Sequence, residues 1–365
     1  MQKQKKNFKT FFEKSVFSKG EFYIKFSIIF FIASIFIILF AWQNGRIFFE
    51  YYPYANAFKG NQFQVHVIDV ENGDAILIKF PNQQTMMIDT GEEKYSENVL
   101  SYIQQYFWTE KVDKIDYLVL THPDSDHIGG AKAILNKFKV VNLYRPKIYT
   151  KIEYENLSNL KNYKVSDSQN YDEVITTAYQ KSCNMFFNEG GIKLSLGGVS
   201  VEFLAPLQEN YSSDNNYSAV IKMIYQNKSF LFMGDATSSV ENELVSKYGE
   251  EIDVDVLKVG HHGSNTSTSL NFLNKVTPDY AIISCNQSKY FPHQDVINNL
   301  NSKDCKILST GLKGSFVVSV ENDSVIFASA VKPFNYLALI FTILVIIAFI
   351  ICKMPFKSQS FRNND

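Results

Sequence analysis

Cysteine is scarce in this chain. Four in 365 residues are too few for a disulfide scaffold, and a bridge between Cys285 and Cys305 is the pairing the sequence leaves open. An excess of either charge is also lacking. Lys and Arg total 36 against 37 Asp and Glu, a net −1, which excludes a generally basic nucleic-acid coat protein. There is no internal repeat, no coiled-coil heptad and no GxxxxGK phosphate loop. Histidine is sparse, with six residues, so each position carries weight. What is plentiful is apolar surface. At 45% apolar and 20% charged residues, the chain can build a core and is not broadly disordered, and its length suits about two domains.

Two long apolar runs stand out. Residues 26–42 (FSIIFFIASIFIILFAW) and 334–352 (FNYLALIFTILVIIAFIIC) carry no charge and approach the length that crosses a bilayer. Residues 1–25 hold seven lysines against Glu13 and Glu21, and residues 353–365 hold Lys353, Lys357 and Arg362 against Asp365. Both tails therefore read as cytoplasmic, which places the block between the spans outside the membrane. A cleaved signal peptide is the rival reading of the first run. Its small-residue site, Ala55-Asn56-Ala57, lies well beyond the apolar stretch, which favours an uncleaved anchor. Without the tails, the chain carries 26 basic against 34 acidic residues, a balance of −8 that bears on any polyanionic substrate.

After an aromatic linker at 43–61, the pattern predicts strands at Phe63–Val70, Ala75–Phe80, Thr85–Asp89 and Tyr117–Leu120, and a helix at Ala131–Phe138. Residues 150–182 are polar and read as an insertion with one helix near Val174–Lys181. Further strands are expected at Ile192–Leu196, Val199–Leu204, Ser218–Tyr225, Ser229–Met233, Val254–Val259, Ala281–Ser284 and, near the end, Lys306–Ser309, Ser315–Val320 and Val325–Ala328. Helices at Ser239–Lys247, Ser269–Lys275 and Val296–Asn301 separate several of them. Strands with interspersed helices indicate an α/β or α+β sandwich.

Five of the six histidines fall in three short elements. Thr121-His122-Pro123-Asp124-Ser125-Asp126-His127-Ile128-Gly129-Gly130 follows a buried strand and packs four ligand-type side chains into six residues. Imidazole nitrogen and carboxylate oxygen on so tight a loop suit Zn²⁺, Mn²⁺ or iron. Gly234-Asp235-Ala236 ends another apolar strand, where an aspartate either caps the next helix or bridges two metals. Gly260-His261-His262-Gly263-Ser264 ends a third. Adjacent side chains diverge, so one of these two histidines is expected as a ligand. Phe291-Pro292-His293 is a weaker element, and His66, inside a strand pattern, reads as packing.

HxDxDHxGG, then GDA, then HHGS resembles the metallo-β-lactamase fold in order and spacing, and more closely the hydrolase domain of competence proteins of the ComEC type. The resemblance continues upstream. Ile68-Asp69-Val70-Glu71-Asn72-Gly73-Asp74-Ala75 looks like that family's DVGQGDA, residues 86–91 (MMIDTG) look like its LIDTG, and Asn216-Tyr217-Ser218-Ala219-Val220 looks like its NxSxV. It covers about residues 62–330. It implies an αββα sandwich with two divalent ions, Zn²⁺ or Mn²⁺, at one edge between the sheets. His122 and Asp124 would hold one ion. Asp126 and one of His261 or His262 would hold the other, with His127 beside them and Asp235 bridging. His261 is preferred as the ligand because it leaves the strand first. His262, Ser264 and His293 would line the cleft, with Asp74, Asn216 and Ser218 also at the substrate, and His262 or His293 would protonate a leaving oxygen or grip a phosphate.

Three departures qualify this. Asp124 stands where the broad fold has histidine, the third-motif histidine is absent with Asn216 and Ser218 near its place, and Glu71-Asn72 replaces Gly-Gln. The first two make one metal site poorer in nitrogen, and either shift its preference from Zn²⁺ toward Mn²⁺ or leave it weakly occupied. The sequence also lacks a many-helix channel, so a DNA-uptake role does not carry over. The chemistry expected is metal-assisted hydrolysis, in line at phosphorus since no Ser/His/Asp triad is visible, with Asp126 and Asp235 as the key metal anchors. The leading expectation is a membrane-anchored phosphodiesterase or nuclease, with DNA among its substrates. Hydrolysis of a small wall or lipid phosphodiester is the second, and a non-catalytic metal- or partner-binding module the third.

Overall fold

In a computed structural model of the chain, residue 31 and residues 62–329 are described, apart from 111–113, 157–162, 287 and 289. Two units separate, one of Met1–Tyr52 with Lys332–Asp365 and one of Pro53–Val331. Of the first, Phe31, exposed and helical, is the described residue. The apolar runs 26–42 and 334–352, the tails 1–25 and 353–365 and the linker 43–61 therefore lie outside the described residues. Among the described residues, no helix is long and apolar enough to cross a membrane.

The second unit begins with β1 (Gln64–Val67), β2 (Ile76–Lys79) and β3 (Thr85–Ile88), then α1 (Ser96–Glu110) and β4 (Lys114–Val119). A short helix α2 (Ser125–Ile128) and α3 (Ala131–Lys137) lead to β5 (Lys139–Arg145), α4 (Lys151–Asn156), α5 (Gln169–Gln180) and β6 (Asn184–Phe187). The chain continues through β7 (Lys193–Leu196), β8 (Val199–Ala205), β9 (Val220–Tyr225), β10 (Lys228–Phe232), α6 (Ser238–Tyr248), β11 (Val256–Lys258), α7 (Leu270–Val276) and β12 (Tyr280–Ile283). It closes with α8 (Gln294–Asn301), β13 (Lys306–Ser309), α9 (Thr310–Lys313), β14 (Phe316–Glu321) and β15 (Ser324–Ser329).

Two sheets result, ordered β15-β14-β1-β2-β3-β4-β5-β6 and β13-β12-β11-β10-β9-β8-β7. Each has an antiparallel half and a parallel half. In the first, β3, β4, β5 and β6 run parallel; in the second, β10, β11, β12 and β13 do. The strands are apolar on both faces because both faces are covered. Ile76, Ile78, Met86 and Ile88 pack with Phe203, Ile221, Phe230 and Val256 between the sheets. Their neighbours Leu77, Met87 and Leu118 face the opposite way, against Val99, Ile134 and Val174 of α1, α3 and α5. On the far side of the second sheet, Leu231, Leu257 and Ala281 meet Val240, Leu273 and Val296 of α6, α7 and α8. The architecture is the expected mixed α/β sandwich of two sheets between helical layers.

The stretch 150–182 carries the helix expected near its end, which begins earlier than its pattern suggested, at Gln169, and packs on the core. Ser168 caps α5 by accepting from the Tyr171 backbone N–H, and Tyr171, Val174, Ile175 and Ala178 bury one face of the helix in the outer core. Its polar composition belongs to the exposed side of that helix and to the segment before it. No disulfide joins Cys285 and Cys305 among the described residues.

Candidate metal centre

The parallel strands of both sheets deliver their carboxyl ends to one edge of the sandwich, where ligands gather in open α/β sheets. Asp89 follows β3, the His122–His127 loop follows β4, Asp235 follows β10, His261 and His262 follow β11, and Ser284 follows β12. Two glycines let the loops close on each other. Gly73, at φ +128°, lies so near the Asp126 backbone that a Cβ would stand 2.3 Å from its carbonyl oxygen, and a Cβ on Gly129 would stand 2.4 Å from Glu93 N.

Asp235 is the hub. Its Oδ1 is 3.1 Å from His127 Nε2 and 3.4 Å from His262 Nε2, while its Oδ2 is 3.8 Å from His122 Nε2 and 3.7 Å from His261 Nε2. Asp126 Oδ2 joins the first group at 3.4 Å from His262 Nε2, and Asp124 Oδ2 joins the second at 3.6 Å from His122 Nε2. One carboxylate thus separates two half-sites, each offering imidazole nitrogen and carboxylate oxygen. Donors about 2.1 Å from a tetrahedral ion stand roughly 3.4 Å apart, so the His127/His262 half-site has the tighter fit. The other is looser and more open, with the Asp124 side chain 46% exposed.

The imidazole tautomers follow from the outer hydrogen bonds. His127 Nδ1–H donates to Asp89 Oδ2 (2.7 Å), and His262 Nδ1–H donates to the Ser284 carbonyl (3.0 Å). Thr121 Oγ1 gives its proton to Asp89 Oδ2 (2.6 Å) and so accepts from His122 Nδ1–H (3.0 Å). Thr266 Oγ1 gives its proton to Ser264 Oγ (3.0 Å) and accepts from His261 Nδ1–H (2.9 Å). Each Nδ1 carries the proton, and all four Nε2 lone pairs face the cluster. This is how proteins orient histidines toward metals. His127 Nε2 and His262 Nε2 stand 3.1 Å apart, a repulsive pairing of lone pairs unless a cation lies with them. Nε2 of His122 and Oδ1 of Asp235 are buried and make no hydrogen bond. The donor set therefore fits divalent ions.

Without a metal, protons supply the missing charge. Burial disfavours the imidazolium of His262, but the nearby Asp235 and Asp126 carboxylates outweigh it and raise the pKa to about 9. His127 rises against the same burial penalty through Asp235 and Asp89. Asp235 falls well below the usual carboxylate range, because the two histidines overcome its burial.

Several expectations change. The structure puts His262, rather than His261, beside Asp126 and His127, and His261 reaches the other oxygen of Asp235. Both histidines face the cluster, because both hold left-handed backbone (φ 47° and 52°) that turns one ring to each side of the carboxylate. Asp74, expected at the substrate, is 1% exposed and ion-paired to Lys258 at 2.9 Å. Asn216 and Ser218 are also buried and engaged within the protein. Ser218 Oγ accepts from Asp235 N (3.0 Å) and Asn216 Oδ1 accepts from Thr237 Oγ1 (2.7 Å), so they hold the Asp235 turn. Ser264 holds Thr266. His293 lies at a rim. Its backbone N–H donates to Gly263 O, and its Nδ1 accepts from Asp295 N to cap α8. His66 packs within β1 between Gln64 and Tyr102, as its strand pattern implied, and burial with nearby Lys79 lowers its pKa to about 3.

The residues missed by sequence reasoning are Asp89, Thr121, Thr266 and Lys258. Asp89 lay within the MMIDTG motif, and Lys258 is the one charge in the apolar run 256–259, so both left a signal.

A family model described as Metallo-beta-lactamase superfamily matches residues 68–287. The chain is 30% identical over 274 residues to ComE operon protein 3 of Bacillus subtilis (strain 168), covering 71% of this chain and 33% of that protein. It is 29% identical over 270 residues to Competence protein ComA of Neisseria gonorrhoeae (73% and 33%), and 31% identical over 264 residues to Recombination protein 2 of Haemophilus influenzae (72% and 29%). The chain spans about a third of the length of these curated relatives.

Proposed function

The chain belongs to the metallo-beta-lactamase superfamily, with relatives among ComEC-type competence proteins, and from that premise we propose that it is a metal-dependent phosphodiesterase acting on nucleic acid. The observation that carries the reading is Asp235, which turns one oxygen toward His127 and His262 and the other toward His122 and His261. Divalent ions held there would supply Lewis-acid polarisation of a phosphoryl oxygen and a water acidic enough to attack at neutral pH. The chain's own residues set the stage. Asp89, Ser284, Thr121 and Thr266 fix the imidazole tautomers, and Ser218 holds the Asp235 turn. Half-exposed Asp124 marks the side open to substrate. His293, exposed and tied by its backbone to Gly263 beside His262, is the candidate to donate a proton to a leaving oxygen.

Relatives named for competence and recombination favour DNA among phosphodiesters. The apolar runs 26–42 and 334–352 and the lysine-rich first tail favour a membrane-anchored enzyme with both termini cytoplasmic and the hydrolase domain outside. The −8 balance outside the tails favours a second reading, a small wall or lipid phosphodiester, because tight DNA binding rests on Lys and Arg at phosphates.

The test loads the protein with Mn²⁺ and follows labelled single- and double-stranded DNA beside a small chromogenic phosphodiester, with a chelator and Asp126→Ala as controls. DNA cleavage lost in both controls supports the nuclease. Turnover of the small diester alone moves the assignment to the second reading. Silence on all substrates by a metal-loaded protein leaves a binding module and refutes both.

A further inference from the structure

Buried beside the two half-sites is an ion pair that the ligand set above does not use. Asp74, two residues before β2, and Lys258, at the end of β11, are each 1% exposed. Lys258 Nζ donates to Asp74 Oδ2 (2.9 Å) and to the Val259 carbonyl (2.9 Å). Asp74 Oδ1 is buried and accepts no hydrogen bond. One donor atom from each of Asp74, His127, Asp235 and His262 lies within 4.8 Å of the other three. Donors of one ion with bonds of about 2.1 Å lie within roughly 4.2 Å of each other, so a small closure brings the four together.

The lysine needs a reason. Position 258 sits in the run Val256-Leu257-Lys258-Val259, where an apolar residue would pack without desolvating an ammonium group. Buried ion pairs are often less stable than the apolar residues that could replace them. An ammonium group is also unwelcome near sites meant for dications unless a carboxylate lies between. Both costs are explained if Lys258 orients Asp74 by one oxygen and leaves the other for the cluster.

We propose that Asp74 supplies a further carboxylate donor to the half-site of His127, His262 and Asp235, with Lys258 as its positioning residue. This rests on the metal-dependent reading above. It also makes that half-site richer in anionic oxygen than the sequence motifs alone imply, which suits harder ions such as Mn²⁺.

The test measures Mn²⁺ affinity of the full chain by chelator competition, and its melting temperature with and without Mn²⁺, for wild type, Asp74→Asn, Lys258→Met and the double variant. Asp74→Asn is expected to weaken the tighter site about 10- to 100-fold. That substitution also leaves a buried ammonium unpaired, so the double variant is the decisive one. It should regain the melting temperature of the metal-free protein while its Mn²⁺ affinity stays low. Lys258→Met keeps the carboxylate but leaves it uncompensated until a cation binds, so its Mn²⁺-induced rise in melting temperature should exceed that of wild type. Recovery of wild-type affinity in the double variant, or an unchanged Mn²⁺-induced rise in Lys258→Met, overturns the proposal and reduces the pair to structural packing. A wild-type chain that takes up no Mn²⁺ defeats the metal-dependent reading itself, and the role of Asp74 with it.

Discussion

Asp89→Asn isolates the outer carboxylate from the backbone that carries it. Asp89 has φ +54°, a left-handed conformation that asparagine also tolerates, so the substitution changes chemistry without straining the turn. The carboxylate accepts three hydrogen bonds, from Thr121 N at 2.8 Å, Thr121 Oγ1 at 2.6 Å and His127 Nδ1 at 2.7 Å. An amide offers one oxygen and one NH₂. If the oxygen faces His127, the NH₂ confronts the Thr121 N–H and leaves a buried donor unsatisfied. If the NH₂ faces His127, the imidazole must move its proton to Nε2, the atom turned toward Asp235. Losing one charge-assisted bond, weakening two and leaving one donor unsatisfied should cost the metal-free protein about 2–4 kcal/mol. Metal affinity should fall roughly 10- to 100-fold, the usual effect of removing a histidine's outer partner. Denaturant melts in chelator give the first quantity, and chelator competition with Mn²⁺ or Zn²⁺ the second. Nitrogen-15 NMR of the histidines reports the tautomer directly. Metal affinity within threefold of wild type, with stability also unchanged, would refute the reasoning.

Metal affinity should rise with pH up to about 9, by about tenfold per unit for each proton displaced, because His262 must lose its proton to bind. The metal-free fold should show the opposite trend. The raised pKa of His262 contributes stability that is fully present below about 6.5 and is lost as pH rises through about 9, which urea melts in chelator at pH 6, 7.5 and 9 would register. Ser218→Ala removes the acceptor of the Asp235 N–H and should cost about 1–3 kcal/mol, with turnover falling more than substrate KM rises, because the hub carboxylate moves. Gly73→Ala places a Cβ against the Asp126 carbonyl at a φ of +128° and should lower both melting temperature and metal affinity; an unaffected protein would show that the two loops need not touch. In stepwise titration with Zn²⁺, the His127/His262 half-site should fill first, which broadening of those two ring signals ahead of His122 and His261 would establish.

The sandwich was legible because its strands are short apolar runs and its motifs fall at strand ends in a recognisable order. What could not be read was direction. Alternation along a strand predicts that neighbouring side chains point apart, and so predicts one ligand from His261 and His262. The left-handed backbone at both positions breaks that alternation, and nothing in the letters HHG announces it. The start of α5 within the polar stretch 150–182 was hard to read for a related reason. Composition averages over both faces of α5, whose buried face is carried by Tyr171, Val174, Ile175, Thr177 and Ala178. Asn216 and Ser218 looked available for a substrate because a polar residue near a metal motif has that as one of two uses. The other use, satisfying a backbone N–H or hydroxyl of the neighbouring turn, depends on contacts across about twenty positions of chain.

Contacts across the chain also explain why the outer residues of the first sheet form one connected support rather than two separate ones. Asp89 accepts from both Thr121 and His127, and Thr121 in turn accepts from His122, so one carboxylate after β3 fixes an imidazole in each half-site. Across the cluster, Ser284 after β12 fixes His262, and Thr266 after β11 fixes His261. Each sheet therefore orients one histidine per half-site, and Asp235, from the second sheet, lies between them. An ion in either half-site must draw donors from both sheets. Binding then resists separation of the sheets as well as closing a loop, so metal removal should loosen the whole sandwich edge. Protons on His127 and His262 offset that only partly, since they neutralise charge without bonding to several donors at once.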